Sequence, residues 1–314
     1  MNMTSFLPHR WRAKREATRH AEAIAGILDT APIRPKQDGL VLFSMIGTAV
    51  LLPYLVAVKS LWNELERGRV AILDDGTLTA QDRAILAHHC GDPEIMRISD
   101  VVLNEFPAGG TWERLLTILD RRQSEYWMQL DSDTVVIGPV PEVEEAIARN
   151  RSFILLGEEA AEGPKALPDF VQHFYPGGEE AVGHVQGRIE SRMGRIDPAR
   201  GWRYVRGCSG FAGFAAMGAG RPLASAFLTE MKSMIGEADV TIWGTEQVTS
   251  NFVLANETAP VVLPYDRYLN YWAQGWGEDA RFLHFVGTHR HHGGAYIDAS
   301  LTAIERIRAK SQAR

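Results

Sequence analysis

Two aspartates one residue apart, Asp131 and Asp133, interrupt the stretch Tyr126-Trp-Met-Gln-Leu-Asp-Ser-Asp-Thr-Val-Val136. Residues i and i+2 of an extended backbone point to the same side. Two carboxylates held to one side repel each other unless a cation lies between them. A hard divalent ion such as Mn2+ or Mg2+ suits the pair, and such ions often carry a substrate's phosphates. A turn with solvated carboxylates is the plainer explanation of an isolated Asp-x-Asp. The apolar strand ahead of this one and the β-branched run 134–137 behind it favour the metal.

A second group of reactive side chains lies in Leu283-His-Phe-Val-Gly-Thr-His-Arg290. His284 follows a short apolar strand, and a neutral imidazole makes a good third ligand beside two carboxylates. Gly287 lets the backbone come close to a ligand, and Arg290 could clamp phosphate oxygens in bidentate fashion. His289, His291 and His292 crowd the same loop but match no common zinc spacing. A third group is Trp243-Gly-Thr-Glu-Gln247. A carboxylate at a helix start complements the dipole, which accounts for Glu246 as a capping residue. Together, Glu246 and Gln247 also offer the acceptors and donors that hold vicinal hydroxyls.

The elements that must position these groups alternate along the chain. A strand over 40–45, a helix over 51–66, a strand over 69–73 and a helix over 80–89 capped by Thr79 come first. A short strand at 95–98, a helix at 112–122 and a strand at 127–130 lead to the acidic pair. A helix at 142–150 and a strand at 152–157 follow. Gly-rich 206–217 reads as a strand close to a ligand or another backbone. Helices at 223–235 and 245–254, strands at 261–263 and 281–285, and an amphipathic helix at 301–310 complete the order. Strand–helix alternation of this kind predicts an α/β fold with a mostly parallel sheet flanked by helices. Ligands of open sheets gather beyond the strands' carboxyl ends, where Ser44, Asp74, Asp75, Asp131 and Asp133 all fall. Residues 158–203 lack periodicity and are expected to form an irregular, functional insertion.

The three motifs, in this order, resemble the GT-A fold glycosyltransferases, and glycosyltransferase family 8 most of all. Members of that family carry an Asp-x-Asp after a central strand, an Asp-Gln before a helix, and a C-terminal His-x-x-Gly-x-x-Lys. The present chain reads Asp131-Ser-Asp133, Glu246-Gln247, and His284-Phe-Val-Gly287-Thr-His-Arg290. Leu73-Asp-Asp-Gly-Thr-Leu-Thr79 is similar to the second-strand turn of many GT-A enzymes, and the match covers roughly residues 38–295. The resemblance implies a Rossmann-like nucleotide-diphospho-sugar transferase fold. It implies Mn2+ (or Mg2+) on Asp131, Asp133 and His284, with Gly287 and Arg290 at the donor's phosphates. Gln247 would lie beneath the anomeric carbon and Glu246 would grip the donor sugar, as the catalytic pair. Ser44, Asp74 and Asp75 would lie near the base and ribose, and Cys208 and Ser209 near the sugar. Cys208 stands where the family has Asn, Glu246 where it has Asp, and Arg290 where it has Lys.

The implied activity moves a hexose from a nucleotide-diphosphate sugar, by resemblance a UDP-sugar, to an acceptor hydroxyl with retention. With Asp169, Asp197 or Glu246 as a base, inversion is the alternative. A metal-dependent nucleotidyltransferase or phosphohydrolase and a non-catalytic sugar-nucleotide-binding protein are the competing readings. The expected partners are a nucleotide-sugar donor and a saccharide or lipid-linked saccharide acceptor.

Bulk properties agree with a globular enzyme. The chain has 314 residues, 45% hydrophobic and 23% charged, and a net charge of −6, which argues against nucleic acid as a partner. Its two cysteines, Cys90 and Cys208, are expected to be reduced, as in the cytoplasm. The uncharged run 40–58 is long enough to span a membrane, but its Gly and Pro suit a strand–turn–helix. Residues 1–36 read as a basic helical extension and linker, and 37–314 as the catalytic domain. The patch 9–20 is expected to be a solvated helix face. With Phe6 and Trp11, it could instead make a weak peripheral contact at an inner membrane surface.

Overall fold

The computed structural model describes residues 9–312. After helix α1 (His9–Ala23), strand β1 (Leu40–Ile46) leads through a tight turn into α2 (Leu51–Leu65). The uncharged run is therefore a strand, a turn and a helix, and among the described residues no helix is long and apolar enough to cross a membrane. β2 (Arg69–Asp74), α3 (Ala80–Cys90), β3 (Glu94–Arg97), α4 (Trp112–Arg121), β4 (Tyr126–Leu130), β5 (Thr134–Val136), α5 (Pro141–Ala148) and β6 (Phe153–Leu156) continue the alternation. Thr79 caps α3 in a reciprocal capping box with Asp82.

Residues 158–203 are more regular than expected. They hold a two-stranded ribbon of β7 (Lys165–Ala166) and β8 (Arg203–Tyr204) and the helices α6 (Leu167–Phe174) and α7 (Val185–Glu190). Then come β9 (Gly207–Phe214), α8 (Arg221–Ile235), α9 (Thr245–Ala255), β10 (Val261–Val262), β11 (Tyr268–Tyr271), β12 (Phe282–Phe285) and α10 (Ala295–Gln312). The closing helix begins six residues before the expected start at 301, and β11 was not foreseen.

Seven strands form the main sheet in the order β10-β6-β9-β4-β1-β2-β3. All run parallel except β9, which is antiparallel to both neighbours. Side chains alternate between its faces. Leu40 and Leu42 enter the core that α2 and α10 cover, while Val41 and Phe43 enter the one shared with α4, α8 and α9. A second sheet, β11-β12-β5, packs beyond the carboxyl end of β4.

The basic helix α1 leans on α10 through His20, which stacks on Tyr296 at 3.8 Å and lies 3.2 Å from the Ser300 hydroxyl. Lys14, Arg15 and Arg19 are exposed, which suits a solvated face and a membrane contact alike, and the Trp11 side chain lies outside the described side chains. Phe6 lies outside the described residues.

Candidate active site

β4 ends at Leu130, and the chain turns through Asp131-Ser132-Asp133 into β5. The Asp131 N–H donates to the Gly210 carbonyl of β9 at 2.8 Å, and the Phe285 N–H donates to the Asp133 carbonyl at 2.9 Å. The acidic turn is thereby held between the two sheets. Antiparallel pairing of β12 with β5 puts His284 opposite Thr134, one residue from Asp133. Ligand atoms of Asp131, Asp133 and His284 all lie within 4.8 Å of one another.

The donor set fits a divalent cation with oxygen and nitrogen ligands. β11 supplies the support that such a histidine needs. Asn270, level with His284 in the parallel register, donates its amide N–H groups to the carbonyls of Leu156 and Gly157, both at 2.8 Å. Its oxygen then accepts from His284 Nδ1, also at 2.8 Å. Nε2 is left facing Asp133 Oδ1 at 3.3 Å, the orientation a metal ligand requires. Burial opposes charge on His284, but Cys208 and Asp133 favour it more strongly, and its pKa rises well above the usual range.

Two arginines balance the carboxylates. Arg114, buried on α4, pairs with Asp131 and Glu246 and donates to the Ser209 hydroxyl at 3.1 Å. Arg290 pairs with Asp133. Burial alone would raise the Asp133 carboxyl, yet His284 and Arg290 hold it at about 2. Asp131 moves the other way, raised by burial despite Arg114.

Glu246 and Gln247 stand in the first turn of α9. Gly244, at φ +106°, starts that turn in a left-handed conformation that suits glycine. The Trp112 indole of α4 donates to Thr245 at 3.2 Å, which aligns Arg114 with Glu246. Glu246 accepts from Thr111 at 2.8 Å through one oxygen, while Oε1 is buried without a partner. Burial raises its carboxyl above the ordinary range, against the pull of Arg114. Gln247 accepts from the Ser209 N–H at 3.3 Å and donates to Gln186 of the insertion at 3.2 Å. Cys208 Sγ lies 3.3 Å from His284 Nδ1. Between Ile154 and Leu155 the β6–β9 register slips, so Ser209, Gly210 and Phe211 bulge out of that pairing, beside the acidic turn.

These groups share one cavity of about 850 Å³, a size suited to substrates well above a few atoms. Of the twelve site residues expected from sequence, nine line it: Asp131, Asp133, Cys208, Ser209, Glu246, Gln247, His284, Gly287 and Arg290. Ser44, Asp74 and Asp75 do not. The Ser44 hydroxyl is buried and donates to the Leu130 carbonyl at 2.7 Å. Asp74 pairs with Arg83 and accepts from the Gly76 N–H at 2.8 Å, and Asp75 accepts from Thr77 at 2.9 and 2.6 Å. Asp169 and Asp197 are exposed and also stand outside the cavity.

Sequence reasoning missed Arg114, Thr111 and Asn270. Arg114 had one available signal: it precedes Ile118 by four residues and so falls on an apolar row of its helix.

A β-carbon at Gly210 would meet the His284 ring atoms at 2.3–2.7 Å, far inside contact distance. Gly210→Ala is therefore expected to displace the imidazole and weaken Mn2+ binding by about 10–100-fold, the usual cost of disturbing a ligand's support. Titration calorimetry checks this; wild-type affinity would remove His284 from the candidate cation site.

No family profile matches the sequence, and no curated protein does. Solved structures do match. The galactosyltransferase LgtC, crystallised with donor and acceptor sugar analogues, superposes with a TM-score of 0.51 at 13% identity, over 86% of this chain and 95% of that one. An active-site mutant of LgtC gives 0.50 at 11% identity, over 83% and 95%. The likeness identifies the fold as GT-A.

Proposed function

We propose that this chain is a glycosyltransferase that moves a hexose from a nucleotide-diphosphate sugar, most simply a UDP-sugar, to an acceptor hydroxyl. The observation that carries the reading is the convergence of Asp131, Asp133 and His284 at the carboxyl end of a GT-A sheet, with Glu246 and Gln247 across the same cavity.

Asp131, Asp133 and His284 Nε2 would hold Mn2+ (or Mg2+), which supplies Lewis acidity for a leaving diphosphate. Arg290, about one-third exposed, is the arginine best able to exchange its carboxylate for phosphate oxygens. Its fork adds charge stabilisation as the glycosidic bond breaks. Gly287, at φ +47° and with open space around its α-carbon, lets the backbone of that loop approach the same phosphates. Arg114 fixes the Asp131 and Glu246 carboxylates, so both meet the substrate preorganised. The unpartnered Glu246 Oε1 and the Gln247 amide suit hydroxyls of the donor sugar. Gln247 is a poor base, and Asp169 and Asp197 are remote, which favours retention over inversion. Glu246 is the one carboxylate among those three that lines the cavity.

A panel of UDP-, GDP- and dTDP-sugars with Mn2+ or with EDTA tests this. Slow sugar release from one nucleotide series, abolished by EDTA, is expected. Neither release nor metal-dependent binding with any donor would overturn it.

A further inference from the structure

Two tryptophans stand at the mouth of the cavity with large exposed faces, Trp243 at 67% and Trp272 at 49%. An isolated exposed aromatic needs no explanation, but two on one cavity do. Each is held in place. The residue after Trp243 is Gly244, and the residue after Trp272 is Ala273 at φ +70°, a left-handed conformation that alanine rarely adopts. The chain thus turns sharply behind each indole. Trp243 meets the His184 ring edge-on at 5.9 Å, and Trp272 meets His289 in the same way at 5.8 Å. The strain at Ala273 and the two histidine contacts position the indoles without burying them. Strain of this kind clusters at ligand clamps.

Charge narrows what they can hold. Each arginine lining the cavity is already matched: Arg114 with Asp131 and Glu246, Arg206 with Glu158 and Glu190, Arg290 with Asp133. A donor diphosphate would draw on Arg290. No unmatched arginine or lysine then remains along the described lining for an anionic acceptor. The uncharged polar lining includes the Thr288 hydroxyl, next to the His289 that Trp272 meets, while Gln186 and the Tyr175 hydroxyl are already bonded to Glu190.

We infer that Trp243 and Trp272 form the acceptor subsite, and that the acceptor is a neutral saccharide whose pyranose C–H faces lie on the two indoles. This rests on the sugar-transfer reading above. Aromatic faces bind such apolar ring surfaces while hydroxyls at the ring edge reach polar partners. A phosphorylated or otherwise acidic acceptor lacks a counter-charge here.

The test is a glycan array carrying neutral and acidic oligosaccharides, probed with the labelled full chain in UDP and Mn2+. Neutral glycans are expected to dominate, and Trp243→Ala and Trp272→Ala are each expected to cut the signal at least tenfold. Trp→Phe at either position should restore most of it. A UDP–Mn2+ thermal shift in each variant reports that it is folded. Preference for acidic glycans, no glycan binding by a wild type that does bind UDP–Mn2+, or full signal in the alanine variants would each overturn the subsite. Tryptophan-dependent glycan binding without any nucleotide shift would keep it and overturn the transfer reading instead.

Discussion

Asp133→Ala is expected to abolish Mn2+-dependent donor binding while the chain remains folded. The side chain is 10% exposed and meets His284 Nε2 at 3.3 Å through one oxygen and Arg290 through the other. With its pKa at about 2, it stays charged at any working pH. Alanine would remove one of three ligands and leave an imidazole and a guanidinium facing the gap. The guanidinium, no longer matched by Asp133, repels a divalent ion, so the loss exceeds that of one coordination bond. The fold should survive, because Arg290 is exposed enough to return to water and the sheet bonds of the acidic turn come from its backbone. UDP at 100 times its dissociation constant should stabilise the wild type by about 2.7 kcal/mol in Mn2+. In the variant this shift should vanish with unchanged circular dichroism. A variant that kept it would place the metal elsewhere.

The second large effect belongs to Glu190, which is fully buried in the cavity wall. Its carboxylate accepts from Tyr204 at 2.9 Å, Gln186 at 2.8 Å, Tyr175 at 2.7 Å and Arg206 at 2.6 Å. This one group ties α7 of the insertion to the residue just ahead of β9. Glu190→Ala would remove the buried acceptor of two tyrosine hydroxyls and one of the two carboxylates that Arg206 pairs with. Breaking a buried pair from one side costs about 3–5 kcal/mol. For a chain of this size that lowers the melting temperature by roughly 5–8 °C. Scanning calorimetry reads it directly. A fall of under 2 °C would mean that the insertion is anchored by other contacts.

The alternating elements were legible because their apolar runs are long, buried and punctuated by Gly and Pro. That the motif residues share one cavity was legible because three motifs, each common or ambiguous alone, occur together beside apolar strands. The helices of the insertion were not. α6 buries only Leu167 and Phe170, and α7 has six residues, too few for a period to emerge. Ser44, Asp74 and Asp75 obey the strand-end rule, but hydrogen bonds within the fold engage their side chains, Ser44 with Leu130 of a neighbouring strand and the aspartates with their own turn, which the rule does not register. Asn270 was hidden because its role depends on register with β12, a non-local fact. Arg114 fell within the expected helix at 112–122 without a role of its own, because its partners lie 17 and 132 residues away.

His284 arrives on the smaller sheet, and this has a consequence for biosynthesis. On the ribosome, Asp131 and Asp133 emerge about 150 residues before the imidazole that completes their site. At about 5–20 residues per second, the acidic turn waits roughly 8–30 s for its third ligand. The main sheet lacks nothing from β11 or β12, so a nascent chain could assemble it with the metal site still two-thirds built. On the proposed metal-assisted reading, metal capture would then coincide with docking of β11 and β12, and the ion would act as a clasp that closes only once both sheets are in place.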